Sequence, residues 1–282
     1  MQNRKSRRIL QAIGLSFGVL FALFFGCVSR SNPSERFSQS AVLSSPSLSV
    51  TLADPKNFTF AFVGDLHING QNTDRLRRIL AAAAAEGDAF LVLLGDIADE
   101  GKKEDFDAVQ TALSDLGFAG KTLYVIGNHD IFGEGWTQYR NLLGPTHYSV
   151  TVGNSRFLAL DTADASVNEA ESDWLTQELA KGGSENTFLL SHYAPVVPGV
   201  RTYLRLANEE EAARLMKLAT LNGVTGWLSG HYHSFVSEKM DGVAYTIAGG
   251  GGGRRMEPVV AFFFAQATVS GTEVSYRYQI VE

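Results

Sequence analysis

Thiols are almost absent: Cys27 is the one cysteine in 282 residues. An intramolecular disulfide is excluded, so the fold has to stand without bridges. A single thiol also excludes thiolate-rich centres such as iron–sulfur clusters. Basic residues are in deficit as well. The formal net charge is −6, and the first 26 residues carry Arg4, Lys5, Arg7 and Arg8 with no acid, which leaves −10 on the remainder. An acidic body repels phosphate backbones at long range, so broad nucleic-acid binding is disfavoured. Also lacking are a Walker-type phosphate loop, a dinucleotide-binding glycine fingerprint, a Gly-x-Ser-x-Gly nucleophile turn and any internal repeat. Their absence points away from P-loop, Rossmann and serine-hydrolase chemistry.

What is present is ordinary globular material. Charged residues at 19% and hydrophobic ones at 45% supply a large core for one catalytic domain and argue against a disordered chain. The front differs. Residues 9–28 are apolar apart from Gln11 and Ser16, and about 20 such residues span a bilayer as a helix. At the end of this run Phe24-Phe25-Gly26-Cys27 resembles the lipobox of a bacterial lipoprotein, with Phe24 in place of the usual leucine. Three readings of residues 1–28 follow: a lipoprotein signal with a lipidated Cys27, an uncleaved single-span membrane anchor, or the cleaved signal of a secreted protein. All put the body in the cell envelope or outside the cytoplasm. Residues 29–56, rich in Ser and Pro, read as a flexible linker with no fold of its own. Residues 57–282 are left as the catalytic domain.

From Asn57 onward short β-rich runs alternate with amphipathic helices, the pattern of an α/β sheet built from crossover units. Strands are expected at 58–63, 89–94, 122–126, 187–190 and 224–229, with a hairpin at 148–152 and 156–160 around Gly153-Asn154. Leu76, Ile79, Leu80 and Ala83 recur at helical spacing after a Thr73 cap and stop at Gly87; Phe106, Val109, Leu113 and Leu116 repeat the pattern up to Gly117. Asn168 and Asn208, each followed by glutamates, predict two further N-caps. The alanine run at 81–85 is helix packing. From Val236 onward the chain is strand-rich without helices, so two packed mixed sheets with outer helices are expected.

Five of the six histidines fall in short separated blocks: Asp65-Leu66-His67, Gly127-Asn128-His129-Asp130, Ser191-His192 and Gly230-His231-Tyr232-His233, joined by Gly95-Asp96. Imidazole with carboxylate and amide oxygen suits Mn, Fe or Zn. Asp65, Asp96, Asn128, His192 and His231 each come one to three residues after a predicted strand end, where open α/β sheets bind ligands. Gly-Asp alone is usually a turn, and a lone histidine is usually core; five blocks in register with strand ends are neither. His147 stands outside every block and reads as a structural residue on a surface strand.

These blocks, D-x-H, G-D, G-N-H-D, H and G-H-x-H, resemble the calcineurin-like metallophosphoesterase family over about residues 58–253. The resemblance implies an α/β sandwich of two mixed sheets flanked by helices. It implies two metal ions (Mn, Fe or Zn): the first on Asp65, His67, Asp96 and His233, the second on the bridging Asp96 with Asn128, His192 and His231. Two dications against two carboxylates would leave a pocket that accepts phosphate. The implied activity is phosphoesterase, a metal-bridging hydroxide attacking a small phosphomonoester or phosphodiester. His129 would protonate the leaving oxygen and Asp130 would orient its ring. Purple acid phosphatases of this superfamily carry a tyrosine where this chain has Asp99, and lack the counterpart of His67. The chain is thus more similar to the bacterial branch that includes class III cyclic nucleotide phosphodiesterases.

Substrate features are weaker. Residues 194–206, with Pro195, Pro198, Gly199, Arg201, Tyr203 and Arg205, read either as a loop over the pocket or as a surface connection. Residues 249–253 followed by Arg254 and Arg255 read either as phosphate-binding or as a flexible turn. Two rivals stay open: a nuclease, against which the acidic charge argues, and a non-catalytic scaffold on the same fold. Nothing in the chain specifies an oligomeric state.

Overall fold

The computed structural model describes residues 31–70, 72–197 and 204–281. Strands Asn57–Val63 (β1), Leu91–Leu94 (β2) and Thr122–Val125 (β3) run parallel. The hairpin Phe263–Ser270 (β10) and Glu273–Ile280 (β11) adds to β1 antiparallel, giving the order β11-β10-β1-β2-β3. The second sheet contains Tyr148–Val152 (β4), Ser155–Ala159 (β5), Asn186–Ser191 (β6), Gly226–Ser229 (β7), Phe235–Met240 (β8) and Val243–Ala248 (β9), ordered β4-β5-β6-β7-β9-β8, with β5, β6, β7 and β9 parallel.

Period-two alternation explains the sandwich. Phe58, Phe60 and Phe62 of β1 meet Phe157 and Phe188 from the other sheet, while Ala61 and Val63 face helices. Phe60 stacks on Phe90 at 4.9 Å, Phe157 stacks on Phe188 at 4.9 Å, and Phe60 meets the Phe157 ring edge-on at 5.3 Å. Helices Asp74–Ala85 (α2), Lys103–Asp115 (α3) and Gly135–Leu142 (α4) cover the outside of the first sheet; Glu169–Ala180 (α5) and Glu209–Leu221 (α6) cover the second. At the N-terminal end of β7, a Cβ on Gly226 would lie 2.3 Å from the Tyr276 hydroxyl of β11, so only glycine lets the sheets meet there.

Asn168 caps α5 by accepting from Glu171 N at 3.0 Å, and Asn208 caps α6 by accepting from Glu210 and Glu211 N at 2.9 and 3.1 Å. Thr73 makes no cap bond; its hydroxyl accepts from the Arg77 guanidinium instead, at 3.2 Å. Helices α2 and α3 end at Gly87 and Gly117, both with φ of 78°, as the αL stop requires.

Two expectations are corrected. Residues 31–56 are not a free linker: Pro33–Ser40 forms a helix (α1), capped by Asn32 with Pro33 in its first turn. Arg36 is fully buried in an ion pair with Asp161, and Leu48, Val50 and Leu52 pack against the inter-sheet cluster. Composition reads Ser and Pro as unstructured; here long-range partners override it. His147 is not on a surface strand either. It is buried ahead of β4, stacked on Phe37 of α1 at 4.2 Å and edge-on to Trp174 at 5.1 Å. Among the described residues no helix is long and apolar enough to cross a membrane. The expected signal or anchor and Cys27 lie outside the described residues, as do Pro198, Gly199, Arg201 and Tyr203 of the expected loop.

Candidate metal centre

Asp65, Asp96 and Asn128 leave the ends of β1, β2 and β3; His192, His231 and His233 follow β6 and β7. All seven expected ligands, including His67, come together at one rim of the sandwich. Three donor groups have ligand atoms within 4.8 Å of one another: Asp65, His67 and His233; Asp96, His192 and His231; and His67, Asp99 and His129. The first two each draw from both sheets.

The local backbone is bent to aim these side chains. Asp65, His67, Asp96 and His231 have φ of 63°, 46°, 50° and 63°, in a region that costs a non-glycine residue about 1–3 kcal/mol unless surroundings enforce it. The neighbouring glycines allow the approach. A Cβ on Gly127 would sit 2.2 Å from Asp96 Oδ1, and one on Gly253 would sit 2.2 Å from the His233 ring. The 249–253 run is therefore a close-packed segment rather than an open turn.

Hydrogen bonding outside the site sets the tautomers. His192 Nδ1 lies 2.8 Å from Leu94 O, and His233 Nδ1 lies 2.9 Å from Arg254 O. A carbonyl only accepts, so each Nδ1 carries the proton and each neutral ring presents a bare Nε2 inward. His67 does likewise, with Nδ1 3.1 Å from Asp99 Oδ1. The inward atoms are then acceptors facing acceptors: His192 Nε2 to Asp96 Oδ2 at 3.3 Å, His192 Nε2 to Asn128 Oδ1 at 3.1 Å, His233 Nε2 to Asp65 Oδ1 at 3.2 Å, His67 Nε2 to Asp96 Oδ2 at 3.7 Å. Such contacts require a proton or a cation between them.

The electrostatics agree. Asp65 and Asp96 are buried, and burial opposes their ionisation, yet His233 at Asp65 and His192 at Asp96 hold both carboxyls below the usual carboxylate range. Burial likewise opposes charge on His192, but Asp96 and Asp65 outweigh it and raise the ring to about 9. His231 is pushed down to about 4 by burial and by His192. Two buried anions among imidazoles that compete for few protons form a site whose charge balance divalent cations satisfy. The N/O donor set fits Mn, Fe or Zn.

The calcineurin-like phosphoesterase profile matches residues 58–235. The chain belongs to the calcineurin-like phosphoesterase family. It is a metal-dependent phosphoric ester hydrolase in the α/β sandwich fold. A probable cyclic nucleotide phosphodiesterase from Synechococcus sp. is 27% identical over 197 residues, covering 64% of this chain and 75% of that protein. A dimetal phosphatase from Danio rerio superposes with TM-score 0.65 at 18% identity, covering 80% of this chain and 97% of the other. A purple acid phosphatase from yellow lupin seeds also superposes with TM-score 0.65, at 14% identity, covering 84% of this chain and 54% of the other.

In this phosphoesterase the role expected for Asp130 is not met. Its Oδ1 accepts from Ala98 N and its Oδ2 from Gly127 N, each at 2.8 Å, so both oxygens brace the loops carrying Asp96 and Asn128. Burial, followed by Asp96, pushes its carboxyl up to about 8. The His129 ring is held by Asp99: Nδ1 donates to the Asp99 carbonyl at 2.7 Å, and the Asp99 carboxylate lies 3.6 Å away. The His129 side chain is 31% exposed, and its backbone N donates to Asp96 Oδ1 at 2.8 Å. Asp99 thus links His67 to His129, a role the sequence signalled only by its place three residues after Asp96. Tyr193, whose ring lies tilted against His231 at 3.7 Å between ring centres, had no such signal.

Proposed function

We propose that the chain is a dinuclear-metal phosphoesterase acting on a small phosphomonoester or phosphodiester. The observation that carries this is the set of inward-facing Nε2 atoms of His67, His192 and His233, locked by outside acceptors and gathered with Asp65 and Asp96 from both sheets. Asp65, His67, Asp96 and His233 would hold one ion; Asp96, Asn128, His192 and His231 would hold the other. Two such ions, when bound, supply Lewis acidity and water of lowered pKa for in-line attack at phosphorus.

The chain's own residues divide the remaining work. His129 stands outside both groups with Nδ1–H fixed on Asp99, leaving Nε2 to deliver a proton to the departing oxygen. The Asp99 carboxylate, 3.6 Å from the same nitrogen, helps to hold the ring in that orientation. Asp130 keeps the Gly127 and Ala98 turns in place, and through them Asp96, which would be shared by the two ions. The Synechococcus relative's name directs the substrate search to cyclic nucleotides first.

Metal analysis of the purified chain, paired with hydrolysis of p-nitrophenyl phosphate and its bis ester, tests the reading. Two metals per chain and chelator-sensitive turnover are expected. Fewer than one metal and no turnover would favour the scaffold, and single-stranded DNA cleavage under Mn would favour a nuclease. In the same reading the 9–28 segment and Cys27 tether the hydrolase to the cell envelope. Mass spectrometry of the mature N-terminus tests that: a diacylated Cys27 marks a lipoprotein, an intact Met1 an anchor, and an unmodified internal start a secreted form.

A further inference from the structure

Beside His67 a cavity of about 400 Å³ is lined by Asn69, Asn72, Arg75, Arg78 and Phe262, a volume suited to part of a small ligand. Among the described residues Asp74 is the one carboxylate on its wall. Arg75 lies 3.5 Å over the Phe262 ring and Arg255 lies 5.0 Å from the centre of the same ring. Stacking leaves the in-plane N–H donors of a guanidinium pointing outward. Arg75 uses one of them on Gly252 O at 3.1 Å. Among the described residues no carboxylate pairs with Arg75 or Arg255.

Burial, together with Arg255 and Arg78, lowers the Arg75 pKa. An anion would relieve that repulsion and take a forked guanidinium bond. Gly252 lies in the close-packed 249–253 segment, and Arg254, just past its end, holds His233 through its carbonyl oxygen. The cavity and the first metal group therefore share one wall, His67, and one supporting strand of chain.

We propose that this cavity is a subsite for a second anionic group of the substrate, a carboxylate or phosphate on the body of the molecule whose phosphoester is cleaved. The proposal rests on the phosphoesterase reading for its substrate. Against an acidic exterior, a local cationic pocket offers an anion a favourable place to bind.

Two matched substrate pairs test it on the full chain loaded with Mn. Adenosine 3′,5′-bisphosphate against adenosine 5′-monophosphate adds a phosphate; 2-phosphoglycerate against glycerol 2-phosphate adds a carboxylate. For at least one pair, wild type is expected to show kcat/KM at least tenfold higher for the doubly anionic member. Arg75→Gln and Arg255→Gln should each reduce that ratio about tenfold, and Lys217→Gln on the outer helix α6 should leave it unchanged. The pair that responds identifies the anion. A ratio near one in wild type, or an equal fall with Lys217→Gln, overturns the subsite.

A second readout needs no turnover. In the chelator-treated chain, sulfate should protect Arg75 and Arg255 from phenylglyoxal modification, followed by peptide mass spectrometry, more than it protects Arg277. Selective protection alongside absent hydrolysis would sink the enzyme reading and keep the anion site. Uniform protection would sink the site whatever the activity.

Discussion

Arg36 and Asp161 form a buried two-pronged ion pair, Nε to Oδ2 at 2.8 Å and Nη2 to Oδ1 at 3.1 Å, across 125 residues of sequence. Arg36 Nη1 also donates to Ser31 O, and Nη2 reaches Asp164. The next residue, Thr162, accepts from the backbone N of His192 and Tyr193 at 3.1 and 2.9 Å. The first helix of the body is thus connected, through two neighbouring residues, to the loop that carries a proposed metal ligand.

Removing one member of such a pair strands a buried charge. Arg36→Ala is expected to lower unfolding free energy by about 3–5 kcal/mol, read from urea denaturation. Phosphoesterase activity per folded molecule should fall with it, because Asp161 and Thr162 support His192.

Asp96 is the carboxylate both proposed ions share, whereas His233 serves one. Asp96→Asn should reduce metal content from two per chain to below one, and His233→Ala should leave about one. Plasma mass spectrometry of the purified variants distinguishes these outcomes. Equal losses would show that Asp96 does not bridge.

His129→Ala should lower kcat about a hundred- to ten-thousand-fold with metal content unchanged. Asp130→Asn should behave differently. An amide NH₂ facing the N–H of Ala98 or Gly127 leaves one donor unmet, so stability should fall by about 1–3 kcal/mol. Its pH–rate profile should keep the wild-type shape, since Asp130 does not touch the His129 ring.

His147 supplies a pH prediction. Burial holds its ring down to about 4, below the ordinary 6.5, and Nδ1 has no partner. Between those values the unfolded chain binds the extra proton and the folded chain does not, so stability rises with pH. The contribution is complete above about 6.5 and is lost as pH falls toward 4. Thermal unfolding between pH 7 and 4 should show a steeper decline for wild type than for His147→Phe, which keeps the stack on Phe37 and has no proton to take up.

The elements that place the ligands were legible because local spacing encodes them. Phe58, Phe60 and Phe62 alternate as a buried strand must, Asn168 and Asn208 cap where an amide precedes glutamates, and each metal-type block follows a strand end. What stayed hidden depends on contacts distant in sequence. Arg36 in a Ser- and Pro-rich stretch reads as tether until Asp161 is placed beside it. Asp130 next to His129 in sequence suggested a partner, yet the turn points its carboxylate back to Gly127 and Ala98. Asp99 filled the role instead, and no local pattern distinguishes a carbonyl that will meet a ring from one that will not.

Because each of the two proposed ion sites takes members from both sheets, bound cations would rivet the sandwich at the rim where the parallel strands end. At the opposite rim, Tyr276 against Gly226 closes the layers without any ion. Stripping the metal should therefore loosen the molecule from one side only. Amides around residues 64–68, 95–98 and 230–234 should exchange with deuterium faster after chelation, while those of β10 and the N-terminal half of β7 keep their protection. The chemistry and the clasp would be the same two ions, and losing one would cost the other.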